Sequence, residues 1–322
     1  EVELSKQIAK KFKLNHSIIT TANKKKILKR SKFLAARCFE GCVDPGLINF
    51  SSVSEYIKSK KIKVGLMSEG PDELLGGYIT DQEANKVDQI YKNSNKKKDF
   101  INSIKKLKLI KNKKFKFEYK PFKTRTTHFT DNDYFLKSII KNYDKKINIQ
   151  SFNDISLKTL KKYKYLTFSQ LRALNYVSNS IPEYINMRKD KSMMMNSVEP
   201  RFPFLSKNIV EFFISMPDKY RFNKEFGKFF LRDYCSKFIN TNVAWFPKKG
   251  MGDYTWNTLK NFFSEIEAKK IIQKSDLFST TFFRKNFVNI LFSKKTHKAN
   301  IWLAFVFAKT FNNLEKINNL KS

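Results

Sequence analysis

Leu4, Ile8 and Phe12 recur every four residues and fall on one helical face, after which the chain turns apolar and β-branched from Ser17 to Thr20. This pattern predicts a helix followed by a strand. A second helix is expected over Lys24 to Cys38, then a loop at GCVDPG (residues 41–46), then a helix over Val53 to Lys60. KIKVGLM, residues 61–67, is short, apolar and β-branched, and is expected to form a buried strand. Helices alternating with strands in this order build an α/β fold with a parallel sheet. From Ser169 onward the periodicity is helical, broken by loops at SVEPRFPFL (197–205), SMPDKY (215–220) and WFPKKGMGD (245–253). The last helix, near Lys298 to Phe311, is apolar nearly all round and is expected to be buried.

The pattern fails after Tyr78. Residues 92–124 are a Lys-rich tract salted with aromatics, and a solvated helical insertion is expected there, spanning about 79–165. The same tract, through charge and stacking, fits a polyanion-binding surface. Over the whole chain 64 Lys and Arg against 29 Asp and Glu give a net charge of +35, which admits nucleic acid, an anionic surface or anionic small substrates. Most of the excess is Lys, accompanied by abundant Asn, Ile and Phe, so bulk composition explains it better than a nucleic-acid groove, where Arg is the usual reader. Cys38, Cys42 and Cys235 form no disulfide framework and point to a reduced, cytoplasmic setting. The longest apolar run, Ile301 to Ala308, is too short to span a bilayer, and no membrane partner is expected.

Three loops have the composition for chemistry. EGPDELLGGY (69–78) follows the predicted strand, the position where parallel α/β folds put ligands. Gly70 permits close approach, Pro71 stiffens the turn, and Glu73 starts a helix that Gly76 and Gly77 soon interrupt. Glu69 and Asp72 are expected on one rim, where two carboxylates repel unless a cation joins them. Mg²⁺ with nucleotide phosphate suits that arrangement, since it takes one or two carboxylates plus phosphate oxygens. Glu73 alone reads as a stabilising acidic residue at a helix start. In VAWFPKKGMGD (243–253), Pro247 fixes the backbone before Lys248, and a phosphate-directed ammonium competes with a plain solvated turn. In DKSMMMNSVEPRFPFL (190–205), Met193 to Met195 read as core filler, and Glu199 with Arg201 as a buried or half-buried pair.

In order and spacing these loops resemble the synthetase domain of the glutamine-dependent asparagine synthetases and of relatives that amidate or cyclise other carboxylates. EGPDELLGGY resembles that family's acidic loop, VEPRFPFL its Glu-x-Arg-x-Pro-Phe-Leu segment, and GKFFLRDYCSKF with VAWFPKKGMG its Gly-Lys-x-x-Leu-Arg helix and lysine loop. LNHSIIT and FEGCVDPG fit its early helix-to-strand turn and the loop before the next strand. The resemblance implies an adenine-nucleotide alpha-hydrolase-like (HUP-type) parallel sheet, incomplete at its N-terminus, with a predominantly helical C-terminal half. It implies one partial synthetase domain over residues 1–322 with the Lys-rich insertion inside it.

The implied reaction has two stages on ATP: a carboxylate, aspartate first among candidates, is adenylated, and ammonia then displaces AMP. By position Asp72 matches the magnesium ligand, Glu69 the carboxylate near the acyl-adenylate and ammonia, and Lys248 the lysine that stabilises charge during adenylation. Met67, Ser68, Gly70, Asp72 and Lys228 match the nucleotide-binding positions. The family pattern differs here at Met67-Ser68, where Ser-Gly is usual, at Ser206, where Asp is usual, and at Asp190-Lys191, where Asp-Arg is usual. The family's Ser-Gly-Gly-x-Asp-Ser pyrophosphate loop and its N-terminal glutaminase domain, the ammonia source, do not occur in this sequence. A piece of a longer protein, inactive in isolation, is therefore expected; a homodimer is compatible with the resemblance. The competing expectation is a non-catalytic polyanion- or nucleic-acid-binding remnant of the same fold.

Overall fold

The computed structural model describes residues 2–19, 46–78, 166–223, 226–248, 265–278, 283–293 and 298–319, with six further positions between 81 and 89. The expected helix over Lys24 to Cys38, most of the GCVDPG loop and the Lys-rich tract lie outside the described residues.

Helix α1 (Val2–Lys11) forms where the four-residue spacing predicts it. It packs lightly: Ala9 is its buried residue, Leu4 and Ile8 are half-buried and Phe12 is exposed. No strand forms over residues 17–19, because β-branched composition supplies propensity but a strand exists only where a neighbour accepts its ladder. Ser17 instead bonds its hydroxyl to that of Tyr56 at 2.6 Å. Helix α2 (Gly46–Ser59) starts well before the expected Val53, at the glycine closing the GCVDPG loop.

Strand β1 (Val64–Leu66) pairs in parallel with β2 (Glu199–Arg201), in the register Val64↔Glu199, Gly65↔Pro200, Leu66↔Arg201. Among the described residues these two strands are the whole sheet. β1 sits inside the predicted window, but the expectation that it is buried fails: Val64 is 46% and Leu66 76% exposed. Among the described residues it has one neighbour, and its alternate side chains point outward. β2 lies in a segment read as loop. Glu199 and Arg201 do pair, at 2.9 Å, yet both are exposed, because alternate residues of a strand share a face and here that face is the outer one.

Between β1 and β2 come the short α3 (Pro71–Leu74), then α4 (Phe168–Asn175), a π-helical stretch Tyr176–Asn186 that contains Pro182, and α5 (Met187–Met194). A proline lacks the N–H for an ordinary helical bond, and wide turns of this kind accommodate the defect. α5 packs along α2. Met193 is fully buried and Met195 joins a core, while Met194 is exposed: successive helical residues diverge by about 100°, so three adjacent methionines cannot all be filler. After β2 follow α6 (Lys207–Ser215), α7 (Asp218–Arg221), α8 (Phe229–Ser236), α9 (Thr241–Ala244), α10 (Glu265–Gln273), α11 (Phe287–Leu291) and α12 (Lys298–Asn319). The C-terminal half is thus predominantly helical, as expected.

The main apolar core gathers Leu47 and Ile48 of α2, Ile272 of α10, Phe287 and Leu291 of α11, and Ile301, Trp302, Phe305 and Val306 of α12. α12 is therefore buried along most of its described length, with Phe307 facing out at 43%. A second core matters more for chemistry. Leu74 and Leu75, at the end of the acidic loop, are fully buried against Phe213 and Met216. Below them Arg221, 1% exposed, donates to the Leu74 carbonyl at 2.9 Å, to Asp218 at 3.1 Å and to Ser169 Oγ at 3.0 Å. Asp81, just past the loop, is held by Arg172 at 2.7 Å, and Asp88 accepts from the Ser169 amide at 3.1 Å.

Candidate active site

The acidic loop leaves the carboxyl end of β1, which the Met67 N–H extends by donating to the Arg201 carbonyl at 2.8 Å. Met67 is half-buried, Ser68 exposed and Gly70 buried. Gly70 has φ 115°, a left-handed conformation open to glycine, and a Cβ there would lie 2.8 Å from Leu205. The turn launches the four residues of α3, in which Glu73 is buried, accepts from the Gly70 amide at 3.3 Å and takes the Tyr78 hydroxyl. Burial raises the Glu73 carboxyl above its ordinary value, the Tyr78 bond works against that, and the neighbouring Asp72 charge adds to it. Glu73 thus braces the loop, as its sequence context suggests. Gly77 then folds the chain back so closely that a Cβ would stand 2.8 Å from the Asp72 Cα.

Two distant segments deliver cations to Asp72. At the start of α8, Lys228 adopts a left-handed conformation (φ 58°, ψ 31°), and its amide donates to the Leu75 carbonyl at 2.8 Å. That backbone bond docks the segment against the acidic loop. The Lys228 ammonium then reaches Asp72 Oδ1 at 2.5 Å, and Lys248, after Pro247, reaches Asp72 Oδ2. Lys248 also lies over the Tyr78 ring, 5.3 Å from its centroid. Burial by itself would raise the Asp72 carboxyl; the charges of Lys228 and Lys248 overcome it, and Asp72 sits below the usual carboxylate range.

Glu69 has a different neighbour. Its Oε1 pairs with the ammonium of Lys189 on α5, a side chain 3% exposed that lies 4.9 Å from the Phe50 ring. Its Oε2 is buried and finds no hydrogen-bond partner among the described residues. The two carboxylates of the loop therefore do not share a cation; each has ammonium of its own. Of the candidates named from sequence, the fold brings together Asp72, Lys228 and Lys248, keeps Glu69 beside them in the same loop, and sets Met67, Ser68 and Gly70 at the strand end.

Two residues escaped the sequence reading. Lys189 stands beside the Asp190-Lys191 pair, and in a chain with 64 basic residues nothing marks one lysine as buried. Arg232 lies inside the GKFFLR stretch without an apparent task. It is 8% exposed and donates to the carbonyls of Gly227 at 3.1 Å, Ala244 at 2.9 Å and Phe246 at 3.0 Å. Burial lowers its guanidinium from the ordinary value and the Asp72 charge pushes it back up.

As a metal site the loop is sparse: among the described residues no three His, Cys, Asp or Glu side chains converge. One half-buried carboxylate flanked by two ammonium groups does not fit a cation caged by protein alone. It does fit Mg²⁺ arriving with phosphates, because the carboxylate can contact the metal while the ammoniums take the phosphate oxygens. Among the described residues no helix is long and apolar enough to cross a membrane.

A comparison with curated proteins finds no match. The description asparagine synthase attaches to a family that matches residues 1–311, a span holding every side chain of this site, and the chain belongs to that family.

Proposed function

We propose that the protein is an ATP-dependent amide-forming ligase that adenylates a small carboxylate, with aspartate as the first candidate, and passes it to ammonia. The observation that carries this is Asp72 held between the Lys228 and Lys248 ammoniums at the carboxyl end of a parallel strand. That cluster carries one surplus positive charge, a setting suited to a polyphosphate with its metal.

In the first stage a carboxylate oxygen of the substrate attacks the α-phosphorus of ATP, the bond from that phosphorus to the bridging oxygen breaks, and pyrophosphate leaves with the electron pair. Lys248 neutralises charge as it builds on the α-phosphate, and Lys228 holds neighbouring phosphate oxygens. Asp72 would hold Mg²⁺, which when bound screens the phosphate charge. In the second stage ammonia attacks the acyl carbon, AMP leaves with its oxygen, and the amine gives up a proton. Glu69 is suited to receive or steer that proton, since Lys189 occupies one oxygen and leaves Oε2 without a partner among the described residues. Met67, Ser68 and Gly70 form the adenosine-side rim. Glutamine, hydrolysed in a separate domain, is the proposed ammonia source, and the cytoplasm the proposed location.

Pyrophosphate release by the natural full-length protein, with ATP, Mg²⁺ and aspartate or other small carboxylates, tests this reading. Release that depends on the carboxylate supports it; release with none of them overturns it. The polyanion-binding alternative rests on residues 92–124, outside the described residues. It predicts nucleic-acid affinity with a log–log salt slope of about −0.9 per phosphate contacted, and no need for a carboxylate.

A further inference from the structure

We propose that Arg232 is a positioning residue that fixes the spacing of Lys228 and Lys248 across Asp72. The inference rests on the ligase reading for the chemistry it serves, but the geometry stands apart from it. The guanidinium is buried and, among the described residues, forms no ion pair. Its three hydrogen bonds, at 2.9–3.1 Å, all go to backbone carbonyls. Those carbonyls belong to the two segments that deliver the lysines: Gly227 immediately precedes Lys228, while Ala244 and Phe246 lead into Pro247 and Lys248. A buried cation normally demands a counter-charge; the Asp72 charge acts on this one, but every hydrogen bond it makes goes to a main-chain oxygen, which ties its energy to where those oxygens stand. The planar fork bridges both segments at fixed separation, which a lysine's single nitrogen does not reproduce.

The surroundings hold the fork in place. Arg232 lies 5.0 Å from the Phe226 ring centroid, and Trp245 packs against Phe226 at 5.6 Å and Phe229 at 6.0 Å. The lysine-bearing segments are thereby joined through Arg232 and through one aromatic cluster. Removing the fork takes its donors from three carbonyls on the two segments and frees the separation between the two ammoniums.

The test uses the natural full-length protein with Arg232→Met, Arg232→Lys, Lys248→Ala and the Arg232→Met/Lys248→Ala double variant. Single-turnover pyrophosphate release should fall by on the order of 10- to 100-fold in Arg232→Met, the scale of loss from a misplacement near 1 Å. Arg232→Lys, which keeps the charge and loses the fork, should recover only part. If Arg232 acts through Lys248, the double variant should be no slower than Lys248→Ala within about twofold; fully multiplicative losses would overturn the proposal. A second measurement needs no turnover: acylation of individual lysines by an amine-reactive acetate ester, read by mass spectrometry. Lys228 and Lys248 should label severalfold faster in both Arg232 variants, with exposed Lys207 unchanged as the internal control. Unchanged labelling of both site lysines would overturn the positioning role. Faster labelling in a protein that releases no pyrophosphate with any carboxylate would uphold the positioning and overturn the ligase reading instead.

Discussion

Replacing Asp72 by Asn removes the charge that two ammoniums share and keeps nearly the same volume. The side chains of Asp72 and Lys228 are each 22% exposed and that of Lys248 35%, so the cluster lies between the surface and buried limits. Exposed pairs contribute about 0–1 kcal/mol, and breaking a buried pair costs about 3–5 kcal/mol; two half-buried contacts to one carboxylate therefore suggest a loss of about 2 kcal/mol. For a chain of this size that is a fall of roughly 3 °C in Tm. The sign with pH follows from the depressed Asp72 pKa. Stabilisation by a carboxylate whose folded pKa is lowered is fully present above the ordinary aspartate value of about 3.9 and disappears as pH falls through the lower folded value. Melting curves of wild type and Asp72→Asn, taken from pH 7 down to the lowest pH at which both fold, should be separated at neutral pH and converge in acid. A gap of the same size at every pH, or none at pH 7, would show that the carboxylate's charge is not what the two lysines hold.

Three further outcomes are expected. Lys248→Ala should slow single-turnover pyrophosphate release by on the order of 10² to 10³, with ATP affinity changed far less, whereas Lys249→Ala should do little. Tyr78→Phe removes the hydroxyl that bonds the buried Glu73 and takes nothing from the ring beneath Lys248, so urea unfolding should report a loss of about 1–2 kcal/mol while the Lys248 contact survives. Trp302→Ala, at a side chain 2% exposed in the main core, should cost about 3–5 kcal/mol by the same measurement without altering the site.

What could be read beforehand follows from how local each signal is. Helix α1, the position of β1 and the buried α12 rest on periodicity within a dozen residues, and all three are found. Turn chemistry was equally local: Gly70, Pro71 and the Gly76-Gly77 pair act within ten residues. Failures arose where a partner decides the outcome. Residues 17–19 have strand composition and no ladder, the Glu199–Arg201 segment has loop composition and a ladder, and exposure of both strands depends on what lies across the sheet. The Asp72–Lys248 contact joins residues 176 positions apart, and only ordered motifs, not spacing, could suggest it. Lys189 has no legible mark, and Arg232 is marked only as the arginine of the Gly-Lys-x-x-Leu-Arg match, without its task, because burial of a cation is a property of its surroundings.

The departure of Glu69 and Asp72 from a common cation also bears on how, in the proposed function, one loop would serve two stages of a reaction. Carboxylates three residues apart on a single shared ion would be coupled, so that loss of the ion after the first stage would disturb both. Here Asp72 answers to Lys228 and Lys248, and Glu69 to Lys189 on another helix. On the proposed ligase reading, the Asp72 half of the loop would exchange ammonium for metal and back as nucleotide enters and pyrophosphate leaves. Through that exchange Glu69 would keep its own counter-charge and an oxygen with no partner among the described residues. Glu73 and Tyr78 favour such independence, since they brace α3 from within the loop and Arg221 anchors its end from below.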